Sequence, residues 1–98
     1  MDNAVVIAVD TTVTPEQERA LLDSYRQMIE EPWPDGLLRA ELLRGQNGVW
    51  RLQSTWRDKQ ALLTLRASGA RPAAVQLLER LGVVHSHGIF SVEQSYTR

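Results

Sequence analysis

Apolar and polar positions follow two different rhythms along this chain. Residues 4–13 (AVVIAVDTTV) are rich in β-branched side chains and predict a first strand. Val5, Ile7 and Val9 fall on one face, and Val6, Ala8 and Asp10 on the other. Both faces begin apolar, which predicts cover on both sides. From Thr14-Pro15 the rhythm becomes helical. Leu21, Leu22, Tyr25, Met28 and Ile29 share a stripe, while Arg19, Asp23, Arg26 and Gln27 face water. Thr14 suits the cap, Pro15 the first helical position and Gln17 the capping box, with Glu16 and Glu18 adding favourable charge in the first turn. Pro32 and Pro34 end the helix, and Pro34-Asp35-Gly36 reads as a turn.

Residues 37–44 (LLRAELLR) suit a helix or a strand by propensity alone. The turn signal Gly45-Gln46-Asn47-Gly48 and the clean alternation of 49–56 (VWRLQSTW) select a hairpin. Trp50, Leu52, Ser54 and Trp56 share one face of its second strand, with Val49, Arg51, Gln53 and Thr55 opposite. Asp58 then caps a short helix over 59–67 that Ser68-Gly69 stops, and a further helix runs over 72–81 to Gly82. Residues 83–96 read as a last strand, with Phe90, Val92, Gln94 and Tyr96 on one face. The order β-α-β-β-α(α)-β is that of an α+β, ferredoxin-like split βαβ unit with an antiparallel sheet, here one domain over 1–98. Helices on one side leave the other sheet face bare. Trp50, Trp56, Phe90 and Tyr96 are expected to share such a face, and a second copy packed against it would close a dimeric α+β barrel.

Composition narrows the classes. With 43% hydrophobic and 23% charged residues the chain is not of the disordered type. A formal net charge of −1, from 11 basic and 12 acidic residues, argues against a nucleic-acid partner. The absence of cysteine removes disulfides, thiolate nucleophiles and zinc–thiolate sites. The longest apolar run near the N-terminus, 4–9, falls far short of the ~20 residues that span a bilayer. No basic region precedes it, so neither a membrane segment nor a signal peptide is expected, and a cytoplasmic location is the default.

Few side chains offer reaction chemistry. His85 and His87, two apart in a strand, point the same way and suit a general base or a metal ligand pair. No further histidine or cysteine supplies a third ligand, so no metal is expected. Arg39, Arg51 and Arg57 suit either an anionic substrate or surface ion pairs. Tyr25 falls on the apolar stripe of the first helix and reads as core.

Four features occur together: the β-branched first strand, the Thr14-Pro15-Glu16 helix opening, the Pro-x-Gly turn leading into Glu41-Leu42-Leu43-Arg44, and Trp56-Arg57-Asp58-Lys59-Gln60-Ala61-Leu62. The last is similar to a Trp-x-(Asp/Ser)-x-x-Ala-Leu signature. In these features the chain, from residue 5 to about 96, resembles the antibiotic biosynthesis monooxygenase family of dimeric α+β barrels. The resemblance implies a cofactor-free oxygenase acting on a small electron-rich aromatic such as an anthrone or hydroquinone, within a homodimer. It also implies roles for particular residues. The Trp56 indole N–H would orient substrate or oxygen. Trp50, Leu52 and Phe90 would wall the pocket, and His85 or His87 would act as base. Asn3 would supply a polar contact, as an asparagine near there does in some relatives. Haem-degrading relatives carry a histidine on the helical segment after the tryptophan. Residues 58–81 have none, which argues against haem degradation and leaves a haem-binding or haem-degrading protein, with a histidine as haem ligand, as a weaker alternative. The strand face around Trp56 offers no amide, so a non-catalytic ligand-binding or assembly dimer stands as the alternative.

Overall fold

Each element begins and ends where local chemistry requires it. A computed structural model describes residues 3–98. Its elements are β1 (Val5–Thr12), α1 (Pro15–Glu30), β2 (Leu37–Arg44), β3 (Val49–Trp56), α2 (Lys59–Ala67), α3 (Ala73–Leu81) and β4 (His85–Ser91). At the start of α1 the Thr14 N–H donates to Gln17 Oε1 at 2.9 Å, and the Gln17 N–H donates to the Thr14 carbonyl at 2.9 Å. Asn47 and Gly48 both take positive φ, and the Val49 N–H donates to the Gln46 carbonyl at 3.1 Å, as a tight hairpin turn demands. Asp58 Oδ1 accepts from the Ala61 N–H at 2.9 Å and caps α2.

The four strands form one antiparallel sheet in the order β2-β3-β1-β4. This is the ferredoxin-like arrangement. Two apolar clusters pack between one sheet face and the helices. Val9, Val13, Leu21, Tyr25, Trp50, Leu52, Leu77 and Leu78 form the larger one. Val5, Trp56, Ala61 and Leu62 form the smaller, and Ile7 packs against both.

The register corrects three expectations. Trp50 pairs with Thr11 and Trp56 with Val5, so both tryptophans lie on the helix-covered face. Phe90 pairs with Val6, one residue out of phase, and lies on the opposite, open face. The aromatic row expected on the bare face is therefore divided between the two sides of the sheet. Tyr96 belongs to neither, because β4 stops at Ser91. The Val92 N–H still donates to the Ala4 carbonyl at 2.8 Å, one residue before the start of β1 at Val5. Helices cover β1 on its Val5–Val9 side alone, while the Val6 side belongs to the open face. On that face the Phe90 ring lies over Gly88, where a Cβ would sit 3.0 Å from two ring carbons.

Gly36 ties the β2 start to the β3–α2 junction. It is buried at φ +88°, and its carbonyl accepts from the Arg57 N–H at 2.7 Å. A Cβ at Gly36 would overlap the Ala61 Cβ. Gly36→Ala adds a left-handed backbone penalty of roughly 1–2 kcal/mol to an overpacking cost of about 1–3 kcal/mol. The expected outcome is a loss of at least ~2 kcal/mol in urea unfolding. A variant within ~0.5 kcal/mol of the parent would show that the junction has room to shift.

Candidate functional site

The site arises from a pair of small side chains on adjacent strands. Across the helix-covered face, Ile7 pairs with Ser54 and Ser54 pairs with Ala40. Bulky residues flank that row: Val9, Leu52 and Leu42 on one side, Val5, Trp56 and Leu37 on the other. An alanine beside a serine cannot fill the height that leucine and tryptophan span. The two apolar clusters consequently stand apart, and a cavity of about 230 Å³ lies between the sheet and the three helices.

Its wall is apolar apart from a few groups. Trp56, Leu52, Ile7 and Met28 line it, with Leu62 and Leu65 from α2 and Ala74 from α3. The Trp56 indole N–H donates to Ser54 Oγ at 2.9 Å. That bond uses the indole proton and leaves the Ser54 hydroxyl proton for another acceptor. Tyr25 also lines the cavity. It is 8% exposed, and its hydroxyl is buried with no hydrogen-bond partner. Burial, helped by the negative charge of Glu41, raises the Tyr25 pKa above its ordinary 10.0. Tyr25 is thus a neutral phenol and a donor throughout the physiological range. Arg66 and Arg71 complete the wall where α2 ends and the chain turns toward α3.

Of the residues singled out from sequence, Trp56 and Leu52 line this cavity and the other five do not. Trp50 is core, its indole N–H buried without a partner and its ring covered by the Arg44 guanidinium at 4.3 Å. Phe90 is 57% exposed on the far side of the sheet. Asn3 Nδ2 donates to Glu93 Oε2 at 3.0 Å on the surface. His85 and His87 stack with ring centroids 6.0 Å apart on the edge strand, paired with Thr11 and Val9. His85 borders a separate depression with Asp10, Thr11 and Val84. Neither imidazole reaches the cavity wall. Among the described residues, no three histidine or carboxylate side chains gather as a metal cluster, and no helix is long and apolar enough to cross a membrane.

The three candidate arginines are all in ion pairs. Arg39 pairs with Glu41 at 3.2 Å and Arg57 with Asp35 at 3.3 Å. Arg51 holds Asp10 through two bonds of 2.7 and 3.0 Å on the open face. That hydrogen-bonded guanidinium keeps the Asp10 carboxyl below its ordinary 3.8. The sequence reading missed Tyr25, Ser54 and Arg66 as cavity residues. The signal that finds the cavity is the pair of small residues, Ala40 and Ser54, placed among leucines on adjacent strands.

A family model described as antibiotic biosynthesis monooxygenase matches residues 4–77. The chain belongs to this family. Solved structures support the fold. SnoaB, a cofactor-independent oxygenase from Streptomyces nogalater, superposes with a TM-score of 0.61 at 20% identity, over 100% of both chains. Rv0793 from Mycobacterium tuberculosis gives a TM-score of 0.71 at 17% identity, over 96% of this chain and 99% of that one. A conserved protein from Methanosarcina mazei Go1 gives 0.70 at 14% identity, over 90% and 91%. No curated protein matches the chain in sequence.

The Tyr25 environment is open to test. A tyrosinate absorbance titration of the protein minus that of Tyr25→Phe isolates this group, and its midpoint should lie above 10.0. A raised folded pKa stabilises the fold below pH ~10, and that contribution disappears as pH rises through the folded value. A midpoint below 10 would mean that the hydroxyl is solvated.

Proposed function

We propose that the chain is a cofactor-independent monooxygenase of a small electron-rich aromatic, of the anthrone or hydroquinone kind. One observation carries the reading: the cavity is walled by Trp56 and mostly apolar side chains, with neither carboxylate nor imidazole among its lining residues. Such a wall suits a substrate that supplies its own electrons. The deprotonated aromatic gives an electron to O₂, and the two radicals combine at the ring carbon. For an anthrone the CH₂ becomes C=O. One oxygen atom enters the product, the other leaves as water, and the substrate supplies all four electrons.

The protein then contributes three things. The apolar wall excludes water, which strengthens every polar contact inside. The Ser54 hydroxyl donates to the substrate oxyanion. Trp56 covers the ring and holds Ser54 in position through its indole N–H. Trp56 in this reading orients through Ser54, and the role of base does not fall to His85 or His87.

The same reading takes the functional unit as a homodimer. Val6, Leu43, Val49 and Phe90 stand on the open sheet face, the last three well exposed. A second copy packed there would cover them.

Oxygen uptake with anthrones and hydroquinones, with no cofactor added, tests the activity. Trp56→Phe should lose at least about tenfold in turnover, roughly 1.4 kcal/mol, while keeping its fold by circular dichroism. Unchanged turnover would remove Trp56 from the site, and no uptake above autoxidation across the panel would favour a binding module. Light scattering tests the assembly. The parent should run as a dimer at micromolar concentration and Phe90→Glu as a monomer. A monomeric parent would sink the face-to-face dimer.

A further inference from the structure

The cavity wall is thinnest between α2 and α3. Ala70, Arg71, Pro72 and Ala73 line the cavity on one side and are exposed to solvent on the other. Most of the remaining wall belongs to strands and helices, which their own backbone ladders hold. The other irregular part of the wall, at Pro34, is locked. The Pro34 carbonyl accepts from the Leu37 N–H at 3.2 Å, and Gly36 packs so closely on Ala61 that a Cβ would not fit. The segment 70–72 has no comparable anchor on the α2 side. Gly69 precedes it at φ +83°, with nothing within 4 Å of where a Cβ would stand. A glycine in left-handed backbone with open space around it can absorb a change of direction.

What holds the segment is α3. The Arg71 guanidinium pairs with the Glu79 carboxylate, and the Arg71 carbonyl accepts from Gln76 Nε2 at 3.1 Å. The Gln76 N–H donates to the Pro72 carbonyl at 3.1 Å. The Arg71 and Glu79 side chains are 59% and 44% exposed, so the pair favours the closed position by a factor of about five at most. Ties of this kind keep a segment in place and let it open as a minor state.

We propose that residues 70–72 form a door over the cavity, hinged at Gly69 and latched by Arg71 to Glu79. Closed, the door completes the wall and shields the interior from water; open, it is the way in from solvent. The proposal rests on the cavity being the substrate site, and adds to that reading how the site is reached.

The test needs no substrate. The chain has no cysteine, so Ser54→Cys places a single thiol in the cavity wall. Its rate of reaction with methyl methanethiosulfonate, a small neutral reagent, reports how often the cavity opens. In that background Arg71→Met and Glu79→Gln should each speed labelling about three- to fivefold. The two substitutions change the local charge in opposite senses, so their agreement isolates opening from thiol reactivity. High salt should speed labelling where Arg71 is present and leave Arg71→Met unchanged. The Gln76 amide should exchange with solvent faster by a similar factor, while the Leu52 amide in the sheet keeps its rate. Ala40→Cys, which faces Ser54 on the next strand, repeats the measurement where Ser54→Cys does not fold. Labelling that is unchanged in Arg71→Met would overturn the proposal. So would faster Gln76 exchange without faster labelling, or a cavity thiol as reactive as a free one with the latch intact. Neither readout involves turnover. Latch-dependent labelling without oxygen uptake would uphold the door and remove the monooxygenase reading, and uptake with latch-independent labelling would do the reverse.

Discussion

The structure depends on a height mismatch across one row of its sheet. Ala40 and Ser54 face each other where their neighbours on the same strands are Leu42, Leu52 and Trp56. A helix laid over such a surface rests on the tall residues and bridges the short ones. Protein interiors tolerate few voids, so a gap of this size persists only where the flanking clusters are stable by themselves. Here each is anchored independently. Leu21, Leu77 and Leu78 bring α1 and α3 down on Val9 and Leu52, while Ala61 and Leu62 bring α2 down on Val5 and Trp56. The cavity is what remains between them.

That origin explains the economy of its chemistry. The row that makes the space also supplies one of its few polar groups, because the small residue on β3 is a serine. Trp56 then gains a partner two residues back on the same strand face, as strand periodicity allows. The bond fixes the indole against the strand, and through it the direction of the Ser54 hydroxyl. Tyr25 comes from α1 at the spacing of the helix's own core stripe, one turn after Leu21. A residue with the signature of packing thus lines the cavity while its hydroxyl stays buried. Apolar surface with a few aimed donors suits desolvation and orientation better than proton transfer by a titrating side chain.

How much of this was legible in the sequence follows from the range of the forces involved. Element boundaries rest on local signals: the Thr14–Gln17 box, the Asn47-Gly48 turn and the Asp58 cap each act within a few residues. The fold followed from the order of the elements. The site was legible only in part, because a cavity depends on which residues of different strands stand side by side. Trp56 and Leu52 could be placed with Ser54 by alternation within β3. Ala40 could join them only once β2 and β3 were in register. Phe90 shows the cost of lacking register, since one step of phase moved it to the opposite face. His85 and His87 drew notice for their chemistry, but the edge strand carries them away from the cavity. Arg66 looked like any exposed helix charge until α2 was set against the cavity.

The sheet also separates two demands that would otherwise compete. The cavity opens among the helices, whereas the surface proposed for the second copy is the opposite side of the same strands. Covering that side would bury the Asp10–Arg51 pair, and burial of an unpaired charge there would be prohibitive. The pair meets this requirement in advance. Its two hydrogen bonds, at 2.7 and 3.0 Å, form within one chain and across neighbouring strands, so both charges arrive at the seam already matched. The depressed pKa of Asp10 reports the same coupling: the carboxylate stays charged well into the acid range because Arg51 favours that form. Assembly through this face therefore needs no rearrangement of the strands that carry Ser54 and Trp56, and the geometry of the cavity is set by the single chain.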